Sequence, residues 1–315
     1  MPSIPTQAAL SKTSYGKSRI RLVQVLRRGD PSTFRQAQGR PEHGRGTTSS
    51  GLSRATPRDD RHQLRDLTVA VAFEGDYDTS YTDGDNAHVL PTDTMKNTVY
   101  ALASREGVGE PETFGLILGR HFIGRNPLLE RVTIDLVDHA WGRITVGDRE
   151  HGQAFVHRGP DRRTARVVTD RRGSSITAGI SDLSIMKSSH SAFAGFPRDE
   201  FTTLPETTDR LLATALTTTW TYAEGDLEFA TTFRTVRTAL LEAFAQHDSL
   251  SVQHTLYAMG QLVLDTIDVV SSISLEMPNR HHLPIDLTRF GMQNRNEIFV
   301  ATEEPHGLIK ATLSR

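Results

Sequence analysis

Apolar residues recur along this chain in two rhythms, and those rhythms come round in the same order twice. Residues 19–26 (RIRLVQVL) and 67–75 (LTVAVAFEG) alternate or run apolar as strands do. Helical spacing follows over 92–104, where Met95, Val99 and Leu102 share a face, and over 112–124. Strand-like runs at 131–137 (RVTIDLV) and 153–169 close the first half. The second half repeats the order, with strands at 176–187 (ITAGISDLSIMK) and 214–222. Its helices cover 231–246, with Phe233, Val236, Leu240, Leu241 and Phe244 on one face, and 252–267, with Leu256, Met259, Val263 and Ile267. Strands at 271–277, 283–288 and 297–313 end the chain. Strand-strand-helix-helix-strand-strand, twice, predicts an α+β fold with antiparallel sheets and helices packed on one face.

Residues 27–65 interrupt the first strand pair with nine arginines, four acids and many Gly, Ser, Thr and Pro residues. So few apolar side chains cannot offset the entropy of ordering, which predicts a flexible insertion. Its lone aromatic, Phe34, favours a solvated loop over a nucleic-acid-binding arm. The formal net charge of -2 points the same way. Cysteine is absent, which removes disulfides, thiolate zinc sites and cysteine nucleophiles. No run approaches the roughly 18–20 apolar residues that span a bilayer, and the first residues do not read as a signal peptide.

Of the 36 basic residues only five are lysines: Lys12, Lys17, Lys96, Lys187 and Lys310. Lysine, unlike arginine, can give up its proton when its surroundings favour the neutral amine. The run Gly84–Asn97 (GDNAHVLPTDTMKN) reads as a helix start, with Thr92 and Asp93 as first-turn or capping residues. Ser251 fits a second N-cap, leaving first-turn N–H groups free to meet an anion, with the Gln253 amide beside them. Arg210 follows Glu206 and Asp209, so it is either a surface ion pair or a fork for a planar anion. Phe193 suits the core or a stacking surface. Pro278-Asn279-Arg280-His281-His282 is expected to join two strands, and its adjacent histidines point to opposite faces in any extended stretch, so a metal site is not expected.

Six segments in register change the weight of these readings. They are YGK at 15–17, DNAHVLPTDTMKNTVYALA at 85–103, SAFAGFPRDEFTTLPETTDR at 191–210, SVQ at 251–253, MPNRHH at 277–282 and PHGLIKATL at 305–313. In order and spacing they resemble urate oxidase (uricase) of the bacterial type, over nearly the whole chain outside 27–65. The resemblance implies a T-fold (tunnelling fold) of two tandem ββααββ units, 12–170 and 171–315, assembled as a homotetramer with active sites at subunit interfaces. It implies cofactor-independent oxidation of urate by dioxygen to 5-hydroxyisourate and hydrogen peroxide, in purine degradation, with no metal and no flavin. Lys17, Thr92 and His281 match the proton relay, and Arg210 and Gln253 the clamp on the urate ring. Phe193 matches the stacking ring, and the N–H groups of Val252 and Asp93 match donors to the substrate. Asn279, with Thr92, matches the dioxygen site.

The residue types suit that chemistry. An arginine fork, an amide and a helix N-terminus complement a planar anion, and orientation, electrostatics and a proton path are what such a protein must supply. Lys17 would have to be lowered from about 10.4 to accept a proton. Departures from the family pattern are the long 27–65 insertion, His282, and a C-terminal Leu-Ser-Arg in place of the Ser-Lys-Leu peroxisomal address, which favours a cytoplasmic enzyme. Alternatives are another T-fold enzyme acting on a purine or pterin, and a non-catalytic purine-binding protein. The former generally uses zinc ligands that this chain does not group; the latter would lack one of Lys17, Thr92 or His281.

Overall fold

The structure, a computed structural model, describes residues 10–27, 61–223 and 227–315. The chain divides into two compact units, Met1–Gly159 with Arg166–Ser175, and Pro160–Ala165 with Ile176–Arg315.

In the first unit β1 (Tyr15–Leu26) pairs antiparallel with β2 (Gln63–Gly75), and β2 with β3 (Leu129–Asp138). The strand order is β1-β2-β3-β6, with β6 at Arg162–Asp170. Along β2 the period of two puts Leu67, Val69, Val71 and Phe73 inside. Helices α2 (Thr92–Glu106) and α3 (Pro111–Arg125) cover that face with Met95, Val99 and Leu102, and with Phe114, Leu118 and Phe122. β2 starts at Gln63, so residues 63–65 of the expected insertion belong to the sheet, where Gln63 faces Leu26. Residues 27, 61 and 62 lie outside any strand, and 28–60 are outside the described residues.

Part of the first unit escaped the sequence pattern. A short helix α1 (Asp78–Thr82) buries nothing. The hairpin β4 (Trp141–Val146) and β5 (Arg149–His157) stands between β3 and β6 and is largely exposed on both faces, so no alternation marks it. The single run expected over 153–169 is in fact the end of β5 and then β6, separated by 158–161, where Gly159 and Pro160 stop the strand.

The second unit repeats the order with β7 (Ser174–Lys187), β8 (Leu212–Tyr222), α4 (Phe229–Gln246), α5 (Val252–Thr266), β9 (Val270–Pro284) and β10 (Phe299–Ser314). Its strands run antiparallel in the order β7-β8-β9-β10. Trp220, Leu240, Leu256, Met259, Val263 and Ile273 are buried together between helices and sheet. The expected break at 278–282 is corrected: these residues continue β9, with Asn279 opposite Gly307 and His281 opposite Thr302. The strand continues through the proline, with Pro278 opposite Leu308, and a bulge opens in β10 between Thr302 and Gly307. Among the described residues no helix is long and apolar enough to cross a membrane.

Candidate active site

In the first unit the YGK segment builds a platform. The Tyr15 hydroxyl accepts the Leu90 N–H at 3.0 Å, which ties β1 to the chain entering α2. Tyr15 is itself held edge-on by Phe73 and Tyr77, with ring centroids 5.7 and 4.9 Å away. Gly16 lies so close to β2 that a Cβ there would sit 1.9 Å from the Val71 carbonyl oxygen. Lys17 follows, half-buried opposite Val71, and the register slips directly after it, with Arg19 at φ 56. A bulge of this kind re-aims the side chains beside it.

Helix α2 starts where the sequence places it, but without the expected side-chain cap. Pro91 occupies the N-cap, Thr92 is the first helical residue, and no side chain caps the helix. The Thr92 hydroxyl therefore has no hydrogen-bond partner among the described residues, nor does the Asp93 N–H. Proline at the cap explains it: fixed φ enters the helix without a side-chain acceptor. The Asp93 carboxylate instead accepts from Lys96, and from Asn97 at 2.9 Å. The Lys96 hydrogen bond and charge hold the Asp93 carboxyl below its ordinary value, with Lys17 adding a smaller push in the same direction. Lys17 thus lies within electrostatic reach of the α2 start.

In the second unit the segment 190–193 gathers the other residues. Phe193 and Thr207 exchange backbone hydrogen bonds at 2.8 and 3.0 Å, and the Arg210 N–H donates to the Ser191 carbonyl at 2.8 Å. On its other side the same segment receives Ser249: Ala192 N–H donates to the Ser249 carbonyl at 2.7 Å. Two residues on, Ser251 caps α5 as expected, its Oγ accepting the His254 N–H at 3.1 Å. The N–H groups of Val252 and Gln253 are left without a partner among the described residues.

The ion-pair alternative for Arg210 is corrected. Asp209 accepts from the Ser189 hydroxyl at 3.0 and 3.1 Å, and Glu206 accepts the Gly195 N–H. Arg210 is half-buried, its Nε buried without a partner and its guanidinium carbon 5.5 Å from the centre of the Phe193 ring. Burial pushes the Arg210 guanidinium below its ordinary value. Phe193 is not core: it is half-buried and stacks on Phe196 at 4.9 Å.

A cavity of about 240 Å³ opens between Phe193, Arg210, Asn279 and His281. Asn279 and His281, two apart on β9, share a strand face. Neither side chain hydrogen-bonds to a described residue. Leu204 and Phe299 also line this cavity, and sequence reasoning had passed over both. Leu204 lies inside the 191–210 segment, but a lone exposed leucine carries no pattern of its own. Val252 and Gln253 are not in the cavity wall; they stand at the α5 start, joined to it through Ser249 and Ser191.

A sequence model of the uricase family matches residues 13–168 and 176–310. The chain belongs to the uricase family. It is 38% identical over 313 residues to the uricase of Arthrobacter globiformis, covering 99% of this chain and 92% of the relative. It is 36% identical over 273 residues to the uricase of Emericella nidulans, covering 82% and 91%. The crystal structure of the Arthrobacter globiformis uricase superposes with a TM-score of 0.85 over 98% of this chain and 96% of that one. A uricase from Bacillus fastidious, 23% identical, shares the fold at a TM-score of 0.74, with 98% and 94% covered. The T-fold of this family is the doubled ββααββ order described above. Both family-model segments contain the residues singled out here, the first Lys17, Thr92 and Asp93, the second Phe193, Arg210, Val252, Gln253, Asn279 and His281.

Proposed function

We propose that this protein oxidises urate with dioxygen to 5-hydroxyisourate and hydrogen peroxide, without a bound cofactor. The observation that carries the reading is Arg210: a cation with a buried, unpartnered Nε, set against an aromatic face at the wall of a cavity. A planar heterocyclic anion satisfies each of those features, through a charge-assisted fork and stacking. Arg210 and Gln253 clamp the ring, Phe193 stacks on it, and the N–H groups of Val252 and Asp93 donate to its oxygens and nitrogen. Asn279 and Thr92 hold dioxygen over the ring. Lys17, Thr92 and His281 move the proton, with the Thr92 hydroxyl free for this because it does not cap α2.

Those residues come from two separate stretches of sequence, Lys17–Asp93 and Phe193–His281. We assign them to two T-fold units, 12–170 and 171–315, and complete sites to the meeting of unlike units from two copies in a homotetramer. Long edge strands support self-association. β1 ends its unit's strand order with Val23 58% exposed, and β10 ends the other with Val300 and Leu308 about half exposed. Unpaired edges with apolar side chains are templates for another chain.

The test is direct. Purified full-length protein mixed with urate in air should consume urate and dioxygen and release peroxide, at a rate unchanged by chelators. Urate binding without turnover, or a strict need for added zinc, would overturn the reading.

A further inference from the structure

The loop from α4 to α5 carries more tethers than a connection of five residues needs, and one of them is made of two histidines. His247 Nε2 and His254 Nδ1 stand 3.1 Å apart, with ring centroids at 4.2 Å and planes at 70°. His247 is at the C-cap of α4; its N–H donates to Ala243, and its carbonyl accepts the Lys187 ammonium at 2.5 Å. His254 lies in the first turn of α5, directly after Gln253, and its N–H is the one that Ser251 caps. Asp248, next in the loop, pairs with His190 at 2.8 Å. Ser249 bridges to Ser191.

We infer that the His247–His254 pair is a positioning device for the α5 first turn, holding Val252 and Gln253 toward substrate, and that protonation of both rings releases it. The inference rests on urate being the ligand. Neutral rings share one proton across the 3.1 Å gap, and a singly charged pair keeps it. Two imidazolium rings present only donors to each other, so the contact is lost. The charged and titratable groups facing the pair are Lys187 from β7, Asp248 in the loop, and His190 through Asp248. Burial is the largest cause holding His247 below its ordinary value, with the charges of His254 and Lys187 adding to it and Asp248 opposing. These causes oppose a charge on His247, and so oppose loss of the tether.

The equilibrium dissociation constant for urate, measured without dioxygen from pH 7.5 to 4.5, tests this in wild type, His254→Ala and His254→Asn. At pH 7.5 the alanine variant should bind about fivefold more weakly, the scale of one hydrogen bond's net contribution, and the asparagine variant should restore binding. As pH falls, the ratio of wild-type to His254→Asn constants should rise, because only the wild type loses its tether; urate's own protonation cancels in that ratio. KM should follow the same pattern while kcat holds. A ratio flat with pH, or an alanine variant binding as the wild type does, overturns the inference. Wild-type protein that binds no urate at any pH overturns the functional reading and this one with it.

Discussion

The Ser191 carbonyl accepts the Arg210 N–H at 2.8 Å, while the residue itself bridges in parallel to Ser249. A short extended segment thus fixes both the Arg210 backbone and the loop that leads into α5. The first connection closes the 191–210 segment on itself, and the second joins that segment to a loop some forty residues further on.

Replacing Arg210 by lysine should be nearly as damaging as replacing it by alanine. Lysine keeps the charge but loses the planar fork that binds a planar anion at two points. Charge-assisted hydrogen bonds are worth roughly 1.5–3 kcal/mol, so urate affinity should fall about 10- to 100-fold in both variants. Isothermal calorimetry under nitrogen would measure it; a lysine variant with near-native affinity would show that charge alone suffices.

Gly16→Ala should weaken the first unit and the chemistry together. The added Cβ would meet a backbone oxygen at 1.9 Å, and backbone cannot swing aside as a side chain can. Overpacking of this kind costs about 1–3 kcal/mol, and a domain of this size loses roughly 2–4 °C of Tm per kcal/mol. Because β1 must shift beside Lys17, kcat should drop too. Differential scanning calorimetry and steady-state rates on one preparation check both; native Tm and kcat would refute the close approach.

The doubled order of elements was legible because each core strand and helix buries one face, and burial leaves a period. What burial does not shape was missed: α1 buries nothing, and the β4–β5 hairpin is largely exposed. Pro278 read as a break because proline lacks the N–H that a ladder uses, yet β9 runs through it with Leu308 opposite. At the site, residue identities were legible but their freedom was not. Thr92 read as a first-turn or capping residue until Pro91 took the cap, and the ion-pair alternative for Arg210 stayed open until Ser189 and Gly195 took its acids. Leu204 and Phe299 were missed because membership of a cavity wall depends on tertiary packing alone.

Asp93 gives the α2 start a pH dependence. Its carboxyl is held below the ordinary value of about 3.9, first by Lys96, so the unfolded chain binds the proton more readily than the folded one. The stabilisation is therefore full above the ordinary value and is lost as pH falls through the lower folded value. The Tm difference between wild type and Asp93→Asn should be constant from neutral pH to about pH 5 and shrink below about pH 4. A difference that grows on acidification would reverse the assignment.

The proposed function rests on a division of labour in which Lys17 would move a proton and Arg210 would hold the substrate. Measuring kcat and the anaerobic urate dissociation constant side by side in Lys17→Met and Arg210→Ala tests it most directly. Lys17→Met should lower kcat by at least about 100-fold, the scale of lost general acid–base catalysis, with the dissociation constant little changed. Arg210→Ala should raise the dissociation constant by at least tenfold, in keeping with a lost charge-assisted clamp. Equal losses of both quantities in both variants would contradict the account.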